Sequence, residues 1–155
     1  MKSLIAALLL TAAPAFAENA RPGFAETALP RTDGPDLQAV IWYPATGGTE
    51  TAFGRNPVFT GTPAWEGATP LPGQHPLVLM SHGLGGHYRS LGWLAAGLAE
   101  RGAIVVAVNH PGSTFGDMEM PRGMQHWTRV ADLSAAKAAV LADPASAALI
   151  NPEQI

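Results

Sequence analysis

The fold is decided by Leu77-Val78-Leu79-Met80-Ser81-His82-Gly83-Leu84-Gly85-Gly86-His87. Its first part is a continuous apolar run, and a run without alternation is typical of a strand buried on both faces, as in a parallel sheet. Its second part is rich in glycine, and apolar residues at helical spacing follow from Tyr88 to Leu98. The stretch therefore predicts a buried strand, a tight turn and a helix.

The flanking segments extend this unit into an α/β pattern. A second apolar run, rich in β-branched residues, covers Ala103 to Val108, and a second helix is predicted from about His126 to Ala142. Upstream, the apolar runs Phe24 to Leu29 and Leu37 to Tyr43 flank an Asp-Gly dipeptide, which indicates a β-hairpin. A hairpin followed by β-α-β-α predicts an α/β fold with a right-handed crossover.

Two further segments carry structural predictions. In residues 44–76, 12 of the 33 residues are Gly or Pro and no periodicity is visible, which predicts a long irregular connection. In the second helix, Trp127, Val130 and Leu133 recur on one stripe and are predicted to lie in the core.

The N-terminus has the three parts of a secretory signal. Met1-Lys2-Ser3 is followed by an apolar run from Leu4 to Ala13 and by the small-x-small sequence Ala15-Phe16-Ala17. We expect a signal peptide over residues 1–17, cleaved near Ala17, and a secreted or periplasmic domain over residues 18–155. The apolar run is shorter than the roughly 20 residues that a membrane-spanning helix needs, so no membrane span is predicted.

Composition excludes several classes of function. The 155 residues are 47% hydrophobic and 14% charged, with a formal net charge of −3. Nucleic acids and anionic membranes require a clustered positive field, so neither is an expected partner. The chain contains no Cys, which excludes disulfides, thiolate nucleophiles and Cys-based metal sites.

The glycine-rich turn is suited to stabilising an anion. It follows the carboxyl end of a strand, where sites form in open α/β sheets, and glycines allow backbone N–H groups to face a ligand. A dinucleotide-binding motif would need glycine where Tyr88 stands, and the chain has no phosphate-binding P-loop motif. The oxyanion that develops during acyl transfer is the better fit, because a His-Gly-rich loop supplies an oxyanion donor in α/β-hydrolases.

At this point the sequence resembles a known family, the bacterial dienelactone hydrolase-like proteins, which are similar to platelet-activating-factor acetylhydrolases and have the α/β-hydrolase fold. The resemblance covers most of residues 24–143. It is carried by five segments in order: Trp42-Tyr43-Pro44, Leu77 to Gly86, Leu98 to Gly102, Val106 to Gly112, and Arg129 to Leu133.

The resemblance implies roles for the turn residues. The backbone N–H of Leu84 is expected to donate to the oxyanion, while His82, Gly83 and Gly85 shape the turn. His82 is also considered as a general base, against the alternative that it only hydrogen-bonds within the loop. The complete protein is expected to hydrolyse a small carboxylic ester or lactone through an acyl-serine, without a metal or an organic cofactor.

The sequence also departs from the family pattern. The family's nucleophile is a serine in G-x-S-x-G after the fifth strand, and none of the six serines here lies in such a motif. The chain ends at Ile155, where that strand is expected to begin. We therefore expect the N-terminal part of an α/β-hydrolase sheet, truncated before the nucleophile strand, with the missing C-terminal half as its partner. No triad residue is assigned, and the chain alone is predicted to be inactive.

Two alternatives remain open from the residues themselves. One is a non-catalytic exported module that binds a small anion or a partner through the strand-end turn. The other is a metal-dependent hydrolase, because imidazoles and carboxylates on loops can bind Zn²⁺. The candidate metal ligands are His82, His87, His110, Asp117 and Glu119.

Overall fold

The computed structural model describes residues 20–155, so the predicted signal peptide over residues 1–17 lies outside the described residues. The fold is mixed α/β, and its main sheet has seven strands in the order β3-β4-β1-β2-β7-β6, with β5 paired to β2. Its strands are β1 (Arg21–Leu29), β2 (Leu37–Thr46), β3 (Thr49–Phe53), β4 (Thr62–Glu66), β5 (Thr69–Pro70), β6 (Leu77–Ser81) and β7 (Ile104–Val108). The remaining elements are a 3-10 helix (Tyr88–Leu91), β8 (Ser113–Thr114), β9 (Asp117–Met118), α1 (Gly92–Glu100), α2 (Met120–Gly123), α3 (Thr128–Ala142) and α4 (Pro144–Ala147).

The predicted hairpin is confirmed. Strands β1 and β2 pair antiparallel along their length, from Leu29 opposite Leu37 to Arg21 opposite Ala45. This register places Phe24 opposite Trp42, and the two rings lie 5.4 Å apart between centroids. Phe53 adds a third ring, 4.8 Å from Trp42. The aromatic contacts fix the register of the hairpin because a slip by one residue would turn these side chains to the opposite face.

The predicted βαβ unit is also confirmed. Strands β6 and β7 pair in parallel, with Val78 opposite Val105, and α1 connects them. All five residues of β7 are buried, as expected for a strand with neighbours on both sides. In β6, Val78 and Leu79 are only half-buried, because β6 is the last strand of the sheet and its outer side is less covered.

The prediction of an irregular connection over residues 44–76 is wrong. The segment contains β3, β4 and β5, and β4 pairs in parallel with β1 while β3 pairs antiparallel with β4. These strands have two to five residues, and the glycines and prolines concentrate in the turns around them. Strands this short contain too few residues for an alternating pattern to stand out, which is why the sequence indicated no regular structure.

The core lies in two layers, one on each face of the sheet. Helix α1 covers one face, where Ala95 and Ala99 pack with Trp42 and Val105. Helix α3 covers the other face with a cluster of buried aliphatic side chains: Leu37, Leu77, Val106, Val108, Ala136, Val140 and Ile150. The small residues of α1 allow the helix to approach the sheet closely, which offsets its two glycines, each worth roughly 1 kcal/mol of lost helix propensity.

The predicted core position of Trp127 and Val130 is wrong. Trp127 is 62% exposed and Val130 is 67% exposed, whereas Leu133 is half-buried against the core. Helix α3 begins at Thr128 instead of His126, and Trp127 is its N-cap residue but makes no capping hydrogen bond with its side chain. The helix turns Ala136 and Val140 inward, and the apolar residues of its first turn remain on the surface.

The outer edge of β6 is paired only at its beginning. The amide of His75 donates to the carbonyl of Leu149 at 2.8 Å, and the amide of Leu77 donates to the carbonyl of Gln154 at 2.8 Å. Within residues 20–155, no strand lies beside the rest of β6. In the same part of the chain, no helix has the length and apolar character needed to cross a membrane.

Candidate functional site

The turn after β6 owes its shape to two glycines, of which the sequence identified one. Gly85 has φ +71°, a left-handed conformation that side chains rarely adopt. A Cβ on Gly86 would lie 3.0 Å from the carbonyl oxygen of Gly83, so the second constraint is steric. Gly83 itself has an ordinary φ and open space where a Cβ would stand. Gly85 and Gly86 therefore shape the turn, and nothing in the geometry requires glycine at position 83.

The backbone amides of the turn differ in their hydrogen bonding. The amide of Gly85 donates to the carbonyl of Ser113 at 2.9 Å, and the amide of Gly86 donates to the carbonyl of Gly83 at 2.9 Å. Within the described residues, the amide of Leu84 donates no hydrogen bond, and Leu84 is 48% exposed. The amide proposed from the resemblance as an oxyanion donor is thus followed by two amides whose bonds hold the turn in place.

His82 is an anchor of the loop, not a free base. It is 3% exposed, its Nδ1 donates to the carbonyl of Gly83 at 2.7 Å, and its Nε2 accepts from the amide of His110 at 3.3 Å. Burial lowers the pKa of His82, and the nearby His110 and Arg129 lower it further, against a raising contribution from the bond to Gly83. Because both ring nitrogens are engaged, this neutral imidazole is a structural hydrogen-bonding group.

Two further groups hold the strand-end loops together. The guanidinium of Arg129, on α3, donates to the carbonyl of His82 and to the hydroxyl of Ser113. On the other side, the 3-10 helix is attached to β1, because the hydroxyl of Tyr88 donates to Glu26 at 2.9 Å. Burial, followed by this bond, raises the pKa of Tyr88 to about 12, so the phenol remains a donor at neutral pH.

A chain of polar side chains, buried except at its Ser81 end, lies directly beside the turn. The hydroxyl of Ser81 and the Nε2 of His110 are 2.7 Å apart, and the Nδ1 of His110 lies 2.9 Å from the Oδ2 of Asp132. The other carboxylate oxygen of Asp132 pairs with Arg31. His110 is 1% exposed and Asp132 is 4% exposed, whereas Ser81 is exposed. We call Ser81, His110, Asp132 and Arg31 the Ser81 relay.

The tautomer of His110 follows from its partners. A carboxylate can only accept hydrogen bonds, so the Nδ1 facing Asp132 carries a proton. In the tautomer that carries its proton on Nδ1 alone, the Nε2 is an acceptor, and the hydroxyl of Ser81 donates to it.

The sequence did not indicate this relay. In the sequence, Ser81 is one of six serines outside G-x-S-x-G, His110 is a candidate metal ligand, and Asp132 lies within the family segment Arg129 to Leu133. The four members come from the end of β6, the end of β7, helix α3 and the hairpin turn, and the pairs in contact are separated by 22 to 101 positions. A local spacing rule cannot find such a set, although a charged residue on the inner face of an otherwise apolar helix was an available signal.

The residues considered as metal ligands do not form a metal site. Within residues 20–155, no group of three or more His, Cys, Asp or Glu side chains has an arrangement suited to a metal ion. The imidazoles are used elsewhere: those of His82 and His110 by the contacts above, and that of His87 by the amide of Arg89 and the side chain of Asn109. The carboxylate of Asp117 accepts from the amide of Gly112 at 3.0 Å.

A cleft of about 400 Å³ opens beside the carboxyl end of β7. It is lined by Pro35, Asp36, Gln38, His87, Asn109, His110, Pro111, Thr114, Phe115, Gly116 and Asp117. Neither Leu84 nor Ser81 lines this cleft, so the free amide and the Ser81 hydroxyl face other surroundings. The structure brings His82 and the glycine turn together, and both contact Thr114, which lines the cleft.

Comparison with known proteins shows an esterase-like fold. No protein-family model matches the chain, and no curated protein matches it significantly. Among solved structures, a ferulic acid esterase from Streptomyces cinnamoneus is similar, with a TM-score of 0.66 and 26% sequence identity. The match covers 90% of this chain and 51% of that esterase, so the chain spans about half of the esterase's length.

Proposed function

We propose that this chain belongs to an exported serine hydrolase, similar to dienelactone hydrolases and acetylhydrolases, that acts on carboxylic esters or lactones. In this proposal residues 18–155 form the N-terminal part of the hydrolase domain. They supply the oxyanion turn, and the remaining part of the domain supplies the nucleophile, acid and base. Export follows from the signal-like N-terminus, and the mature protein is secreted or periplasmic.

A single observation carries the proposal: the amide of Leu84 donates no hydrogen bond within the described residues, on a turn whose next two amides are bonded. The amide of Gly85 donates to Ser113 and that of Gly86 donates to Gly83, and these bonds hold the turn that carries the Leu84 N–H. A fixed, unpaired donor stabilises negative charge that develops on an oxygen without a cost of reorganisation at the moment of reaction. The esterase-like fold supports acyl transfer as that reaction.

The substrate is proposed to be a small ester or lactone. The structurally similar protein is named for ferulic acid, so an aryl ester of this type is a rational first substrate beside short acyl esters. The exposed apolar side chains at the turn, Leu84 and Met118, would favour an apolar acyl or aryl group.

The test uses the longest polypeptide that the reading frame encodes, assayed with p-nitrophenyl acetate and a feruloyl ester. Leu84→Pro removes the N–H, whereas Leu84→Ala keeps the N–H and removes only the side chain. We expect Leu84→Pro to lower kcat by about 10² to 10³, the usual effect of losing one oxyanion donor, and Leu84→Ala to change it far less. Equal effects of the two variants, with both folded by circular dichroism, would contradict the oxyanion role.

A further inference from the structure

Arg129 joins the oxyanion turn (residues 82–86) to the loop that the turn contacts. Its guanidinium donates to the carbonyl of His82, where the turn begins, and to the hydroxyl of Ser113, at the start of β8. The amide of Gly85 donates to the carbonyl of the same Ser113 at 2.9 Å. These contacts form a closed ring, which runs from Arg129 through His82 and the turn to Ser113 and back to Arg129.

Leu84 lies between the two points at which this ring holds the turn. On one side of it, His82 accepts from Arg129, and on the other side, Gly85 donates to Ser113. His82 and Ser113 are each 3% exposed, so their bonds to a charged donor are formed away from water, where such bonds are strong. We propose that Arg129 is a positioning residue for ester hydrolysis, which fixes the direction of the Leu84 N–H by holding the turn through this ring.

The charge of Arg129 is not used in an ion pair. Within residues 20–155, its guanidinium contacts no carboxylate at ion-pair distance. Its Nε is buried without a hydrogen-bond partner, and an unsatisfied buried donor costs free energy. Groups that break a rule of packing in this way are typical of functional sites, where the arrangement serves the reaction instead of the fold.

A guanidinium is suited to this bridge because its donors lie in one rigid plane. Nη1 donates to His82 and Nη2 donates to Ser113, so one group spans both acceptors. A lysine at position 129 would keep the charge but has a single nitrogen and cannot reproduce the rigid fork. Because Arg129 lies in the first turn of α3, this helix sets the position of the oxyanion turn.

The inference deepens the proposed function and rests on it. The carbonyl oxygen of the ester gains negative charge in the transition state, and the Leu84 N–H donates to that oxygen. An interaction that strengthens only in the transition state affects kcat and leaves KM nearly unchanged. Since a displacement of about 1 Å can cost about 10²-fold in rate, loss of the ring should lower kcat although Arg129 does not touch the substrate.

The kinetic test compares Arg129→Met and Arg129→Lys with Arg101→Met, in the same polypeptide and with the same esters as the Leu84 variants. Arg101 is a matched control, because its guanidinium also donates to a backbone carbonyl, that of Gly97 at 2.7 Å, and it lies at the C-terminal end of α1. We expect Arg129→Met to lower kcat by about 10- to 100-fold with KM within about twofold of wild type. Arg129→Lys should lie between Arg129→Met and wild type, and Arg101→Met should match wild type.

Amide hydrogen exchange followed by NMR separates positioning from stability. Arg129→Met should speed exchange at the Gly85 amide, whose acceptor belongs to the ring, at least about tenfold more than at the amides of β7. A general loss of stability would instead speed exchange at both places by the same factor. If Arg129→Met does not fold, Ser113→Ala replaces it in both measurements, because it removes the hydroxyl that accepts from Arg129 and keeps the carbonyl that accepts from Gly85.

The possible failures point to different causes. A loss of kcat in Leu84→Pro together with a wild-type kcat in Arg129→Met would overturn the positioning role and leave the oxyanion role intact. No loss in Leu84→Pro would overturn the proposed function and this inference with it. A raised KM at unchanged kcat in Arg129→Met, or equal acceleration of exchange at Gly85 and in β7, would also overturn the positioning role.

Discussion

Replacing Asp132 by Asn tests how much of the fold depends on the Ser81 relay. The carboxylate is 4% exposed and joins Arg31 of the hairpin turn to His110 at the end of β7. An amide of the same shape accepts through one oxygen only, and its NH₂ group then faces a second donor. Arg31, whose side chain is 10% exposed, is left with a buried charge and no counter-charge.

We expect Asp132→Asn to lower the free energy of unfolding strongly. Removing one partner of a buried ion pair typically costs about 3–5 kcal/mol, a substantial fraction of the roughly 5–15 kcal/mol that stabilises a domain. With a urea dependence of about 2 kcal/mol per M, the unfolding midpoint should fall by about 2 M. Urea unfolding followed by far-UV circular dichroism measures this shift.

Two comparisons isolate the cause. Asp143→Asn makes the same chemical change at an exposed carboxylate that accepts from the amide of Ser146, and it should leave the midpoint nearly unchanged, since Asn caps helices as well as Asp does. Adding Arg31→Met to Asp132→Asn removes the stranded charge, and it should recover at least about 1 kcal/mol. A midpoint for Asp132→Asn within the error of wild type would refute the argument that the contacts of Asp132 with Arg31 and His110 stabilise the fold.

The remaining predictions concern the turn, acid stability and the surface tryptophan. Gly85→Ala should lower the free energy of unfolding by about 1–2 kcal/mol because of the left-handed φ of Gly85, whereas Gly83→Ala should have little effect. The urea midpoints of the two variants measure the difference. Equal losses would contradict the view that Gly85, and not Gly83, shapes the turn. Burial lowers the pKa of His82 below 6.5, so the unfolded chain binds more protons than the folded chain as the pH falls through about 6.5. The free energy of unfolding should therefore decrease on acidification, and His82→Asn should flatten this pH dependence. A thermal midpoint that does not change between about pH 7.5 and 5.5 would contradict the prediction. Trp127→Ala should change stability by less than about 0.5 kcal/mol, whereas Trp42→Ala should cost about 3–5 kcal/mol or prevent folding, and comparable losses in chemical denaturation would show that Trp127 is packed.

The sequence predicted those parts of the fold whose hydrophobic or turn pattern lies within a few consecutive residues. The runs at Leu77–Met80 and Ala103–Val108 are apolar because helices cover the parallel pair on both faces. Their continuous hydrophobicity is therefore visible in the sequence alone. The hairpin followed from two apolar runs around an Asp-Gly turn. The glycine turn was located in the same way, since Gly85 adopts a conformation that few other residues tolerate.

Only the tertiary structure showed the features that depend on contacts between residues far apart in the sequence. Among the strands between residues 49 and 70, β4 pairs with β1, β5 pairs with β2 and β3 pairs with β4. This pairing, not their own propensity, holds them, so their Gly- and Pro-rich sequence indicated a loop. Trp127 and Val130 lie on the surface because α3 turns Asp132, Ala136 and Val140 toward the sheet, an orientation that hydrophobicity alone does not define. Ser81, His110 and Asp132 meet only because the sheet brings two strand ends together under α3, and a hydrogen bond between residues 22 or 29 positions apart leaves no periodic signal in the sequence.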